Sequence, residues 1–184
     1  MMQPVVFKTK DTALTLSILE KVMPIIRSLH PEFQASQVDI KNGDIIVSIP
    51  LFQADDKNDA DASIRALLWL LEVLTQVNQA YLHSHPDTLP LYQAGIRYQP
   101  EEGTEEWQDI PTNIERGYGD CEDLAAHITA ELRNQGIPNK PYLRWQIRRG
   151  SYRMHALSEN PDGTIEDPSL KLGMADWADY LAKT

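Results

Sequence analysis

Gly117-Tyr118-Gly119-Asp120-Cys121-Glu122-Asp123-Leu124-Ala125-Ala126-His127-Ile128 is the stretch on which the reading turns. Leu124, Ala125, Ile128 and Leu132 recur at helical spacing and form an apolar stripe. Gly136 is placed to end that helix in a left-handed turn. Asp120 stands where an N-cap belongs, and Asp123 occupies the capping-box position three residues on. Cys121 is then the first helical residue, and it is the single cysteine of a 184-residue chain. A lone cysteine makes no intrachain disulfide and no multi-cysteine zinc site, and by default it is a small buried hydrophobe. At a helix start, though, free N–H groups and the positive end of the dipole favour a thiolate and can bond an oxyanion. Gly117 and Gly119 let the chain turn tightly before the helix. Asp120 and Glu122 oppose thiolate formation, so a nearby imidazolium must compensate. The expectation is a Cys121 thiol of lowered pKa.

Downstream, Tyr142–Ile147 alternates Leu143, Trp145 and Ile147 with polar residues, as a half-buried strand does. A turn at Arg148–Ser151 leads to a second strand over Tyr152–Ser158. Asn160-Pro161-Asp162-Gly163 is a type I turn with a glycine placed for a bulge, and Thr164–Asp167 returns as a third strand that Pro168 closes. Folding this hairpin puts Asp167 beside or diagonally opposite His155, within reach of a cross-strand pair. The spacing therefore predicts a His155–carboxylate contact. Of the rival carboxylates, Glu166 faces the other way and Asp162 sits in the turn. His127, more than a turn beyond Cys121, reads as a surface or packing histidine.

Upstream, Pro86–Tyr118 is rich in Pro, Gly and Glu and reads as mostly irregular with short helical turns. Long irregular segments inside a compact domain are often functional. Before it, Ile64, Leu67, Leu68, Leu71, Leu74 and Tyr81 predict a long helix from about Ala62 to Leu82. His83-Ser84-His85-Pro86 reads as its polar exit rather than a metal site. Asp11 or Thr12 caps an earlier helix carrying Ile18, Val22, Ile25 and Leu29, with Pro24 expected to kink it. Lys41-Asn42-Gly43 joins Gln37–Ile40 to Asp44–Ile49 as a hairpin. Ala175–Ala182 reads as a short terminal helix carrying Trp177 and Tyr180. The expected organisation is a helix–hairpin flanking lobe over 1–60 and a core over 61–184 that carries Cys121 and His155.

The formal net charge is -10, with acidic runs at Asp55–Asp61 and Glu101–Glu106 that read as solvated loops. Such a surface repels phosphate backbones, which argues against nucleic acid as a partner. The longest apolar run, Ala66 to Leu74, is broken by Glu72 and is too short for a bilayer. Met1–Lys10 has no signal-peptide core. A soluble protein is expected, in the cytoplasm or carried in a larger particle.

A nucleophile at a helix start, a histidine on a following strand and an aspartate after the next turn resemble the transglutaminase-like superfamily, which shares its core with papain-like cysteine peptidases. The resemblance runs from about Leu91 to Met174 and is strongest over Trp107–Asp123, His155-Ala156-Leu157 and Asp162–Ser169. The string Gly-Asp-Cys-Glu-Asp looks like the bacterial transglutaminase-like cysteine proteinases, and the following Leu172-Gly173-Met174 looks like small members borne by phages and mobile elements. The resemblance implies an α+β fold with the nucleophile helix packed on a small antiparallel sheet. It implies Cys121 as nucleophile, His155 as base and Asp167 as orienter. The activity implied is acyl transfer at an amide of a protein or peptide, foremost peptide hydrolysis, with transamidation or deamidation through the same acyl-enzyme. The Cys121 N–H is the first oxyanion donor, with Trp107, Gln108 and Asn113 as candidates for a second. No cofactor is required; the proteinases that flank their nucleophile in this way imply a calcium site at Asp120 and Glu122, and capping with solvent exposure accounts for both residues equally well. The opposed expectation is an assembly module that keeps the fold without turnover.

Overall fold

Val5-Val6-Phe7, a run left without an element by the sequence pattern, lies in strand β1 (Met2–Lys8) of the computed structural model, which describes residues 2–51, 57–148 and 151–175. Part of the turn expected at Arg148–Ser151, and nearly all of the terminal helix expected to carry Trp177 and Tyr180, lie outside those residues.

Helix α1 (Thr12–Leu29) begins at Asp11, whose side chain accepts the Leu14 N–H at 2.9 Å, and it runs unbroken through Pro24. The expected hairpin forms as β2 (Gln37–Lys41) and β3 (Asp44–Pro50). Asn42 and Gly43 both take positive φ, 55° and 90°, as the tight turn requires. Helix α2 (Lys57–Ser84) also takes in residues 57–61, expected as loop.

Residues 86–118 hold more structure than their composition suggests. They contain β4 (Arg97–Tyr98), β5 (Glu105–Gln108), α3 (Ile110–Arg116) and β6 (Tyr118–Gly119). β5 lies parallel to β1, with Val5 opposite Glu105 and Phe7 opposite Trp107, which completes a sheet in the order β2-β3-β1-β5. β4 pairs in parallel with β6, immediately before the cysteine.

Helix α4 (Cys121–Asn134) follows, then β7 (Lys140–Arg148), β8 (Ser151–Glu159), β9 (Ile165–Glu166) and the single turn α5 (Pro168–Lys171). β7, β8 and β9 form an antiparallel sheet with β8 in the middle. α4 packs on β8, and Thr129 Oγ1 donates to Ser158 Oγ across that seam at 2.9 Å. One apolar cluster joins Phe7, Leu19, Ile26 and Ile45 to Leu70, Leu74, Trp107, Ala125 and Ala156. The 1–60 segment therefore shares a sheet and a core with the residues after 61. On its other side α4 buries Leu124 and Ile128 against Leu91 and Ile96. The architecture is mixed α and β, with the cysteine helix resting on the small antiparallel sheet. Among the described residues no helix is long and apolar enough to cross a membrane.

Candidate active site

Cys121 is set in place by the capping of α4. Asp123 Oδ2 accepts the Asp120 N–H at 3.2 Å, and Oδ1 accepts the Gln108 N–H at 2.6 Å. One buried carboxylate thus closes the first turn of α4 and ties it to β5. Gly119 makes this approach feasible. A Cβ there would lie 3.0 Å from both Asn113 Oδ1 and Asp123 Cβ.

His155 comes from β8. Its Nε2 lies 3.0 Å from Asp167 Oδ2. β9 pairs Ser158 with Glu166, and extending that register by one places Asp167 opposite Leu157, on the diagonal from His155. The contact expected from the hairpin spacing is present, although Asp167 is not a strand residue. The strand ends at Glu166, and Asp167 is the N-cap of α5, its Oδ1 accepting the Leu170 N–H at 3.0 Å. Burial raises the Asp167 pKa, but the hydrogen bonds to His155 and the Leu170 N–H outweigh it and hold the carboxyl below its ordinary range. The rival carboxylates are engaged elsewhere: Glu166 takes Tyr92 and Lys171, and Asp162 accepts the Thr164 N–H.

Cys121 and His155 line one cleft of about 260 Å³. Trp107 lines it too, with its Nε1–H donating to Glu105 Oε1 at 3.1 Å. Gln108 and Asn113, the other oxyanion candidates, are buried and do not line the cleft. The Asn113 amide packs against Gly119 instead. His127 is a packing residue: it is fully buried, 3.1 Å from Glu131 Oε1, which also accepts the Leu91 N–H.

Two expectations need correction. The first is the state of the thiol. Burial, and then the charge of Asp120, push the Cys121 pKa up rather than down, and the Ala156 N–H and Glu122 offset only part of this. The Sγ–H donates to Glu122 Oε2 at 3.2 Å. Desolvation and like charge outweigh the helix start here.

The second is the acidic setting. Asp120 and Glu122 are not solvated, being 8% and 5% exposed, and Glu101 and Glu105 of the run read as a loop stand in the cleft wall. Glu101, Glu105 and Glu122 bring carboxylate oxygens within 4.8 Å of one another, as do Asp120, Glu122 and Asp123. Burial, followed by the charge of Asp120, raises Glu101 to about 8 and lifts Glu122 and Asp123 well above the carboxylate range. Burial likewise raises Asp120 to about 7. Asp120 Oδ1 and Glu122 Oε1 are buried without a hydrogen-bond partner among the described residues. Clustered oxygen donors with orphaned atoms suit a hard divalent cation such as calcium. Spacing gave no hint that Glu101, Glu105 or Arg153 line this cleft. The acidity of 101–106 was visible, but not where it folds.

No family model matches the chain, and no curated protein or solved structure matches it significantly.

Proposed function

We propose that Cys121, His155 and Asp167 are a catalytic triad of the transglutaminase-like and papain-like kind, and that the protein hydrolyses a peptide bond through a thioester. The observation that carries this reading is the 3.0 Å His155–Asp167 contact on a histidine that shares its cleft with the only cysteine. Cys121 Sγ attacks the scissile carbonyl carbon while its proton passes to His155. The C–N bond breaks, and the leaving amine takes that proton. Water then adds to the thioester, giving a proton to His155. The C–S bond breaks, the acid leaves, and the proton returns to sulfur. Asp167 holds the imidazole tautomer throughout. The Cys121 N–H is the first oxyanion donor of this reading, and the Trp107 indole is the second only once its N–H turns from Glu105 to the oxyanion.

Calcium belongs to the same reading, held by Asp120 and Glu122 with Glu101 and Glu105 in reach. Bound there, it supplies positive charge that neutralises the carboxylates opposing the thiolate. The chain's own contribution is to keep these oxygens clustered beside the nucleophile.

The experiment is a digest of a peptide library in calcium, with new termini read by mass spectrometry and an amine probe added to detect transamidation. Wild type is expected to cleave, and Cys121→Ser and His155→Ala are expected not to. The assembly-module reading is favoured by one observation, the raised thiol bonded to Glu122. It prevails if calcium-loaded wild type cleaves nothing and Cys121 reacts with iodoacetamide no faster than a free thiol.

A further inference from the structure

The cleft is polarised. Glu101, Glu105, Asp120 and Glu122 line it, whereas among the described residues Arg153 is the only lysine or arginine that does. Despite those carboxylates, Arg153 forms no ion pair with a described residue, and its buried Nε has no acceptor among them. A buried N–H without an acceptor is a cost that a native fold seldom bears without a reason.

Strand geometry adds a distance. Arg153 and His155 are two apart on β8 and share a face, so their Cα atoms are roughly 6.6 Å apart along the strand. An extended peptide advances at the same rate. β9 pairs with β8 only at Ser158 and Glu159, so alongside Arg153 that edge carries no strand partner among the described residues. A peptide laid along β8 with its scissile carbonyl at Cys121 and His155 presents the side chain two residues away to Arg153.

We infer that Arg153 is a specificity residue that receives a carboxylate side chain of the peptide, two residues from the scissile amide. The inference rests on the hydrolase reading above. The planar guanidinium fork matches a carboxylate in two parallel hydrogen bonds, which a neutral amide does not reproduce.

The test uses two matched pairs of thiol-directed peptides in calcium. The first pair are tripeptide aldehydes with Glu or Gln two residues before the aldehyde. The second pair are chloroacetyl peptides with Glu or Gln as the second residue. Modification of Cys121 is followed for wild type, Arg153→Gln and Arg153→Lys. One Glu probe is expected to be preferred over its Gln partner by roughly tenfold, as for a charge-assisted pair. That preference is expected to vanish in Arg153→Gln and to be partly kept in Arg153→Lys. Equal behaviour of Glu and Gln probes in wild type, or a preference untouched by Arg153→Gln, overturns the assignment. An equal loss for Glu and Gln probes in Arg153→Gln also overturns it, because the residue then serves the peptide backbone. If no peptide probe modifies wild-type Cys121 while iodoacetamide does, the hydrolase reading falls and takes Arg153's role with it.

Discussion

A carboxylate one residue before a thiol works against its ionisation, and Asp120 is the charge that most opposes a Cys121 thiolate once burial has done its part. Asp120→Asn is expected to move the alkylation profile of metal-free Cys121 toward lower pH, measured with iodoacetamide between about pH 6 and about pH 10. Calcium added to wild type is expected to shift it in the same direction. Superimposed profiles for variant and wild type would remove Asp120 from the account. Asp167→Asn separates tautomer from charge: peptide cleavage is expected to fall by on the order of a thousandfold while the alkylation profile barely moves. At this scale the His155–Asp167 contact was legible, because the turn at Asn160–Gly163 fixes which residues of the hairpin meet. The thiol's state was not. It depends on desolvation by walls that include Glu101 and Trp107, and no local rule about helix starts carries that.

Among the elements, α4 begins close against Gly119, where a Cβ would lie 3.0 Å from both Asn113 Oδ1 and Asp123 Cβ. Gly119→Ala forces a methyl into that space, and urea denaturation is expected to show a loss of about 1–3 kcal/mol. A midpoint equal to that of wild type would mean that the first turn of α4 relaxes freely. Periodicity found α1, α2 and α4, and Asn42-Gly43 marked the β2–β3 hairpin, because those signals lie within one segment. β1 and β5 escaped notice for the opposite reason. Each finds its partner far along the chain, and four residues of Glu105–Gln108 are too few to show a period. β9 is shorter still at two residues, which is why Asp167 became a cap rather than a strand residue.

For the whole molecule, the buried acids set the pH dependence of stability. Unfolded carboxyls titrate near pH 4, whereas in the fold Asp120 is raised to about 7 and Glu101 to about 8. Across that window the folded chain holds protons that the unfolded chain has released. Stability is therefore full on the acid side and falls as pH rises, by up to about 1.4 kcal/mol per pH unit for each proton held, and by less for the half-buried Glu101. Denaturation in chelator is expected to give a higher midpoint near pH 5 than near pH 8. Millimolar calcium is expected to raise the melting temperature, most at the higher pH, where the ion meets ionised ligands. A flat pH profile with no response to calcium would return the acidic cluster to a structural role.

The parallel pairing of Val5 with Glu105 also fixes an order of events. β1 is synthesised long before β5, and a contact of such high sequence separation forms late, since the loop between must close first. Trp107 and the Gln108 N–H that holds Asp123 both ride on β5. His155 follows later still in the chain. A nascent or partly folded chain therefore carries its cysteine without a cleft, and the walls around Cys121 are assembled only as one of the last steps of folding.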